Sequence, residues 1–320
     1  MINDQVQNAL MNEIKKRIPK NSVLVCKLVE LLFIEKEAVY RRLRGEVPFT
    51  FKEIAHISKE LDISLDAILG IELDKSRPFH IKLPDFAYPQ ENDFSMLATH
   101  IEFLRSIGNM THSEKGIVSN IIPQDLFTGF ESLLKFMIFN WNYHYDLKRV
   151  KAFHELALSK RLMDAFKENF LETKKIKTSY YVVDNQLILY FVNHVKYFQT
   201  LRLIESADVR KIKTDLFDFL DYIEDMAING CFRETGNPVS LYISDINITS
   251  NYCYIETNAT KFSLIKTFLL NSVTSLDEET FEKMRNWVHS FIKISTLISA
   301  TGEKQRILFF GNQRKIVSEL

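Results

Sequence analysis

Arg41, Arg42 and Arg44 crowd within four positions of the stretch EKEAVYRRLRGEVPFTFKEI, residues 35–54. Guanidinium groups at this density suit nucleic acid. A planar fork bonds O6 and N7 of guanine together, and cations near phosphates release condensed counterions. On a helix advancing 100° per residue, Ala38, Val39 and Leu43 fall on one side and Glu37, Tyr40, Arg41 and Arg44 on the other. Arg42 falls on the flank, where its stem lies along apolar surface. Lys36 stands at the exposed start. Nine basic residues face three glutamates between Lys15 and Arg44, although the whole chain balances 41 basic against 41 acidic residues. That balance excludes a cationic coat over the whole molecule and leaves room for one basic face.

The elements that must hold this helix are short. Asp4 is placed to cap a helix running to Arg17, with Val6, Leu10 and Ile14 on one face and Pro19 as its stop. Asn21 or Ser22 is expected to cap a second helix through VLVCKLVELLF. The basic helix, KEAVYRRLR, is the third and ends at Gly45. Thr50, with Glu53 three residues on, reads as a capping box that starts a fourth helix, its apolar face being Ile54, Ile57 and Leu61. Ser64 is expected to cap a fifth, LDAIL, closed by Gly70.

The pieces LVELLFIEKEAVYRRLRGE, a proline, and FKEIAHISKELDISLDAIL together resemble a helix-turn-helix module of the Cro/phage-repressor class. The resemblance covers residues 5–70, about a fifth of the chain. It implies a repressor-like, sequence-specific DNA-binding transcription regulator whose second helix crosses the backbone and whose third reads the major groove. Carried over by position, it makes Lys36, Glu37, Tyr40, Arg41 and Arg44 candidates for base and nearby phosphate contact, and Lys27 and Thr50 candidates for phosphate contact. The implied partners are double-stranded DNA and, because one module reads a half-site, a second copy in a homodimer. Phe33 departs from the class, in which a glycine often occupies this turn position.

Residues 71–92 contain Pro78, Pro84 and Pro89, three of the chain's seven prolines, and read as a linker. Residues 93–320 read as a larger helix-rich α+β domain for dimerisation or for sensing a small-molecule or peptide effector. Helices are expected near 93–108, 126–141, 146–172, 185–205, 208–228, 277–299 and 304–318. VSLYISDINITSNYCYIE alternates and breaks at Thr249–Asn251, which reads as a β-hairpin. GIVSNII reads as a strand, and FSLIKTFLL suits strand or helix equally. The fold class is therefore mainly α, a five-helix domain plus a larger α+β one. No fixed-period repeat marks a solenoid.

The larger region shows no phosphate-cradling glycine loop, G-x-S-x-G or H-E-x-x-H, so neither an enzyme nor a cofactor is expected. Its histidines are scattered. Asp215, Asp218, Asp221, Glu224 and Asp225 read as a solvated helix face rather than a cation site. The aromatic-rich stretches LLKFMIFNWNYHY and LILYFVNHVKYF read mainly as core, and the polar C-terminal helix as facing water. Three cysteines without C-x-x-C spacing argue against disulfides and zinc. No signal peptide or run of about 20 apolar residues is apparent, so the expectation is a cytoplasmic protein without membrane contact. A nuclease-like enzyme targeted to DNA, and a protein-docking module on the same helical fold, are the competing readings.

Overall fold

The structure is a computed structural model that describes the chain except residues 1, 62, 64, 66–79, 83–85, 87, 146–151 and 269–270. At residues 2–6, 8–9, 16, 80–82, 145, 267–268 and 271–273 it describes the backbone alone. Contacts divide the chain into Met1–Pro78 and Phe79–Leu320. The division falls inside the proline-containing segment, and the second unit begins ahead of residue 93.

The first unit contains α1 (Ile2–Arg17), α2 (Asn21–Leu32), α3 (Lys36–Leu43) and α4 (Phe51–Glu60). Leu10 and Ile14 of α1, Leu24, Val25 and Leu28 of α2, Val39 of α3 and Ile57 of α4 form its buried core. Ile54 and Leu61 pack partly buried against it. Two caps differ from expectation. Helix α1 already begins at Ile2, so Asp4 falls within its first turn. Helix α2 is entered through an extended Lys20 with no side-chain cap bond, which places Asn21 and Ser22 inside the helix. The expected fifth helix, 64–70, lies outside the described residues apart from Leu65, which is helical.

The second unit is built on an eight-stranded sheet of order β1-β7-β6-β5-β2-β3-β4-β8. The strands are β1 (His80–Lys82), β2 (Ser113–Ser119), β3 (Thr178–Asp184), β4 (Val239–Ser244), β5 (Asn251–Thr257), β6 (Lys261–Phe268), β7 (Asn271–Ser275) and β8 (Thr296–Leu297). The central β2, β3 and β4 run parallel, as two helical crossovers require, and the remaining pairings are antiparallel. The helices are α5 (Glu91–Gly108), α6 (Gln124–Phe127), α7 (Glu131–Tyr145), α8 (Lys160–Thr173), α9 (Leu189–Thr200), α10 (Ser206–Asn229), α11 (Glu278–Ile294) and α12 (Glu303–Ser318). One sheet face carries the large core, with Phe136, Phe198, Phe219 and Phe310 fully buried. On the other face, Val118, Val182 and Tyr254 meet Phe281, Val288 and Phe291 of α11. Gly116 is required there, because a Cβ would lie 2.2 Å from the Tyr254 ring.

The expected hairpin is corrected. Both strands form, but β4 pairs with β3 and β8 while β5 pairs with β2 and β6. Alternation reports a pleated, half-buried strand and says nothing of its partner. Ile248, just ahead of the polar break, is buried with Phe281, Val288 and Phe291 of α11, so the chain crosses over instead of turning back. The expected helix 146–172 is also interrupted. A 3-10 turn occupies Phe153–Glu155, and Ser159 caps α8 by accepting from the Leu162 amide. The segment expected as helix to 299 leaves that state after Ile294 and forms β8. FSLIKTFLL resolves as strand. Among the described residues no helix is long and apolar enough to cross a membrane.

Candidate nucleic-acid interface

Only three residues, Phe33, Ile34 and Glu35, join α2 to α3. Phe33 adopts φ 53°, the left-handed conformation that glycine takes without steric cost, and its ring is 91% exposed. Phe33 thus takes a left-handed backbone with its side chain turned out to solvent. Gly45, at φ 78°, closes the end of α3.

Helix α3 is fixed from behind. Val39 is buried in the core. Arg42 places Nε 3.0 Å from Glu53 Oε2 and Nη2 2.8 Å from Oε1, a two-bond clasp between α3 and α4. Glu53 Oε2 also accepts from the Thr50 amide at 2.8 Å, and the Glu53 amide donates to Thr50 Oγ1, so the expected capping box is present. Burial works against the Glu53 carboxylate, but Arg42 and the Thr50 amide outweigh it and its pKa falls. One carboxylate thus starts α4 and holds the flank of α3.

The candidate residues lie at the surface. Lys27, Lys36, Glu37, Tyr40, Arg41, Arg44 and Thr50 are all exposed. The arginines are not idle there. Arg44 donates to Glu46 at 2.6 Å and to Glu37 at 3.1 Å, and Arg41 lies 3.6 Å from Glu46. Hydrogen bonds to Glu46, then to Glu37, raise the Arg44 pKa, and the Arg44 bond lowers that of Glu46. Glu46 is the residue that sequence reasoning missed. It lies beyond α3 and joins the arginines only because Gly45 turns the chain back. A polar hollow lined by Gln7, Asn12, Lys15, Arg44 and Gly45 adjoins the same end of α3. Within it, the buried Nε2 of Gln7 has no hydrogen-bond partner. Lys15 therefore belongs beside Arg44, although the two are far apart in sequence.

In the second unit the acidic face of α10 is not simply solvated. Asp215 accepts from the Ser132 amide at the start of α7, and Asp221 and Glu224 both pair with Arg314 of α12. Helix α12 is likewise docked, with Phe309, Phe310, Gln313 and Val317 buried, which corrects its reading as a water-facing element. Among the described residues no group of three or more His, Cys, Asp or Glu is arranged to hold a metal ion. All three cysteines are free.

No protein-family model, curated protein or solved structure matches this chain.

Proposed function

We propose that the chain is a sequence-specific, DNA-binding transcriptional regulator of the cytoplasm. Helix α3 enters the major groove, and the second unit dimerises or senses a signal. The observation that carries this reading is the division of labour on α3. Arg42 is spent on the Glu53 clasp, while Tyr40, Arg41 and Arg44 stand outward on a helix whose orientation that clasp fixes. A rigidly presented fork is what base readout needs. Glu37 and Glu46 occupy the arginines in the free protein, and DNA takes their place, so discrimination includes the loss of those pairs.

A gel-shift series on genomic fragments tests the proposal. Specific binding is expected to weaken steeply with salt. Arg41→Ala or Arg44→Ala should cost about 1–3 kcal/mol on the specific site. Glu46→Ala should tighten binding without altering the unfolding midpoint. Lys27→Ala should weaken all sequences alike and flatten the salt slope by about one. No binding to any fragment at low salt would sink the reading, and divalent-dependent cleavage of the probe would replace it with a nuclease.

A second reading rests on apolar exposure. Phe33 and Phe51 are 91% and 81% exposed in the first unit, as suits a protein-docking surface. Loss of a protein partner in Phe33→Ser, with DNA binding unchanged, would favour it.

A further inference from the structure

Helix α9 is anchored on one side and open on the other. Phe191, Val192, Val195 and Phe198 are buried. Phe191 and Phe198 pack on Phe136 of α7, with ring centres 4.7 and 6.0 Å away. The helix therefore presents one fixed outward face. On it Tyr190 and Tyr197 are each 51% exposed, and Leu201, which caps the helix, is 41% exposed. The Tyr143 side chain of α7 is hydrogen-bonded to Tyr197, which holds that ring in place. Apolar side chains exposed singly are ordinary, but these fall in step with exposed His194. The positions 190, 194, 197 and 201 are spaced four, three and four apart, the repeat of a seam between paired helices.

The same face is without charge. The exposed residues of α9 are Tyr190, Asn193, His194, Tyr197, Gln199 and Thr200. Burial, and then neighbouring His144, lower the His194 pKa, so its imidazole is neutral at pH 7. Lys196, at the flank, is partly buried and paired with Glu319. Every other helix of the second unit longer than one turn exposes a charged side chain. Depletion of charge with enrichment of tyrosine marks the centre of protein interfaces. Charge also selects the occupant. A two-fold contact brings the same patch of both copies together, so a charge near its axis faces its own duplicate. The exposed Ile307 and Leu308 of α12 fail that condition, because exposed Lys304 and Lys315 flank them. The α9 face meets it.

We propose that α9 pairs antiparallel with α9 of a second copy of this chain, across a two-fold axis between His194 and Tyr197. Tyr190 then packs on Leu201 of the second copy, and His194 meets Tyr197 of the second copy. One helix face is at the small end of specific interfaces, so the dimer is expected to form at about micromolar concentration. The inference rests on the dimerising role proposed for the second unit and is independent of whether α3 reads DNA.

Sedimentation velocity of the full chain without DNA, from about 0.1 to about 100 μM, is the test. A reversible monomer–dimer equilibrium is expected. Tyr190→Lys/Leu201→Lys sets like charges opposite each other at both ends of the seam and should weaken the dimer about tenfold or more. Tyr190→Glu/Leu201→Lys brings opposite charges together only if the helices run antiparallel, and should restore it. Ile307→Lys/Leu308→Lys on α12 should leave the equilibrium unchanged. A chain that stays monomeric throughout would overturn the proposal. So would a Tyr190→Lys/Leu201→Lys variant that dimerises like the wild type, or a dimer broken by the α12 variant alone. No recovery in Tyr190→Glu/Leu201→Lys would overturn the antiparallel register. If the double-lysine variant fails to fold, Tyr190→Ser/Leu201→Ser, which removes the apolar contact without adding charge, decides in its place. A monomeric chain that still selects single half-sites from a DNA pool would overturn this inference and leave the DNA reading standing. A dimer that selects no DNA would do the reverse.

Discussion

In the first unit Arg41 and Arg44 hold their glutamates at the surface, whereas in the second Lys115 and Asp125 meet inside the core. Exposed pairs are screened and exchange partners readily. A DNA phosphate or guanine edge can therefore take an arginine from Glu46 at small cost. The Lys115–Asp125 pair has no such freedom, because separating it strands a charge in low dielectric. Arg44–Glu46 at 2.6 Å and Lys115–Asp125 at 2.5 Å are similar in length but differ in what surrounds them. Arg42 and Glu53 lie between the two cases, at 15% and 14% side-chain exposure, and their role is mechanical.

The largest effect should come from Lys115→Met, which strands Asp125 and should cost the second unit about 3–5 kcal/mol. Urea unfolding followed by tryptophan fluorescence measures it. A loss no larger than that of a surface pair would erase the contrast. Next is Arg42→Met, which breaks the α3–α4 clasp and should cost about 1.5–3 kcal/mol, as hydrogen bonds to charged groups do. Far-UV circular dichroism on heating reads that loss, and operator affinity should fall with it.

Third is pH. Burial makes the folded state release the Lys174 proton near pH 7, whereas the unfolded chain keeps it to about 10.4. Between those values the unfolded state binds more protons, so stability of the second unit rises with pH. Lys174 contributes at most about 1.4 kcal/mol per pH unit to that slope. The slope should shrink in Lys174→Met, leaving the part that the lowered Lys266 and Lys135 pKa values contribute. Above about pH 10 the gain ends, because the raised pKa values of Tyr222 and Tyr254 then favour unfolding. A flat profile from pH 7 to 10 in the wild type would contradict the assignment. The smallest effect is Phe33→Gly, which removes the left-handed penalty on an exposed side chain and should stabilise the first unit by up to about 1 kcal/mol. Denaturant midpoints followed by circular dichroism check the sign.

Local chemistry made much of the first unit legible. The Thr50–Glu53 box follows from spacing within four residues, and helical periodicity separates Arg42 on the flank from Arg41 and Arg44 outside. Glu46 escaped because the turn at Gly45 brings it back onto α3. In the second unit, most helices and strands carry their own periodicity, but strand partners do not. The order that places β2 and β3 between β4 and β5 depends on which faces the helices cover. The buried group of Lys115, Asp125 and Lys174 was hidden for the same reason, since its members sit on β2, α6 and the end of α8. One signal was present: Lys115 shares the inward phase of β2 with Ile117, where a charge must find a partner.

The central claim is that α3 reads DNA through its outward arginines. Selection from a random duplex pool with the full chain tests it most directly. The expected result is an enriched palindromic motif with half-sites about one helical turn (~34 Å) apart, lost in Arg41→Ala/Arg44→Ala while circular dichroism is unchanged. No enrichment with the wild-type chain, or the same motif enriched by the double variant, would contradict it.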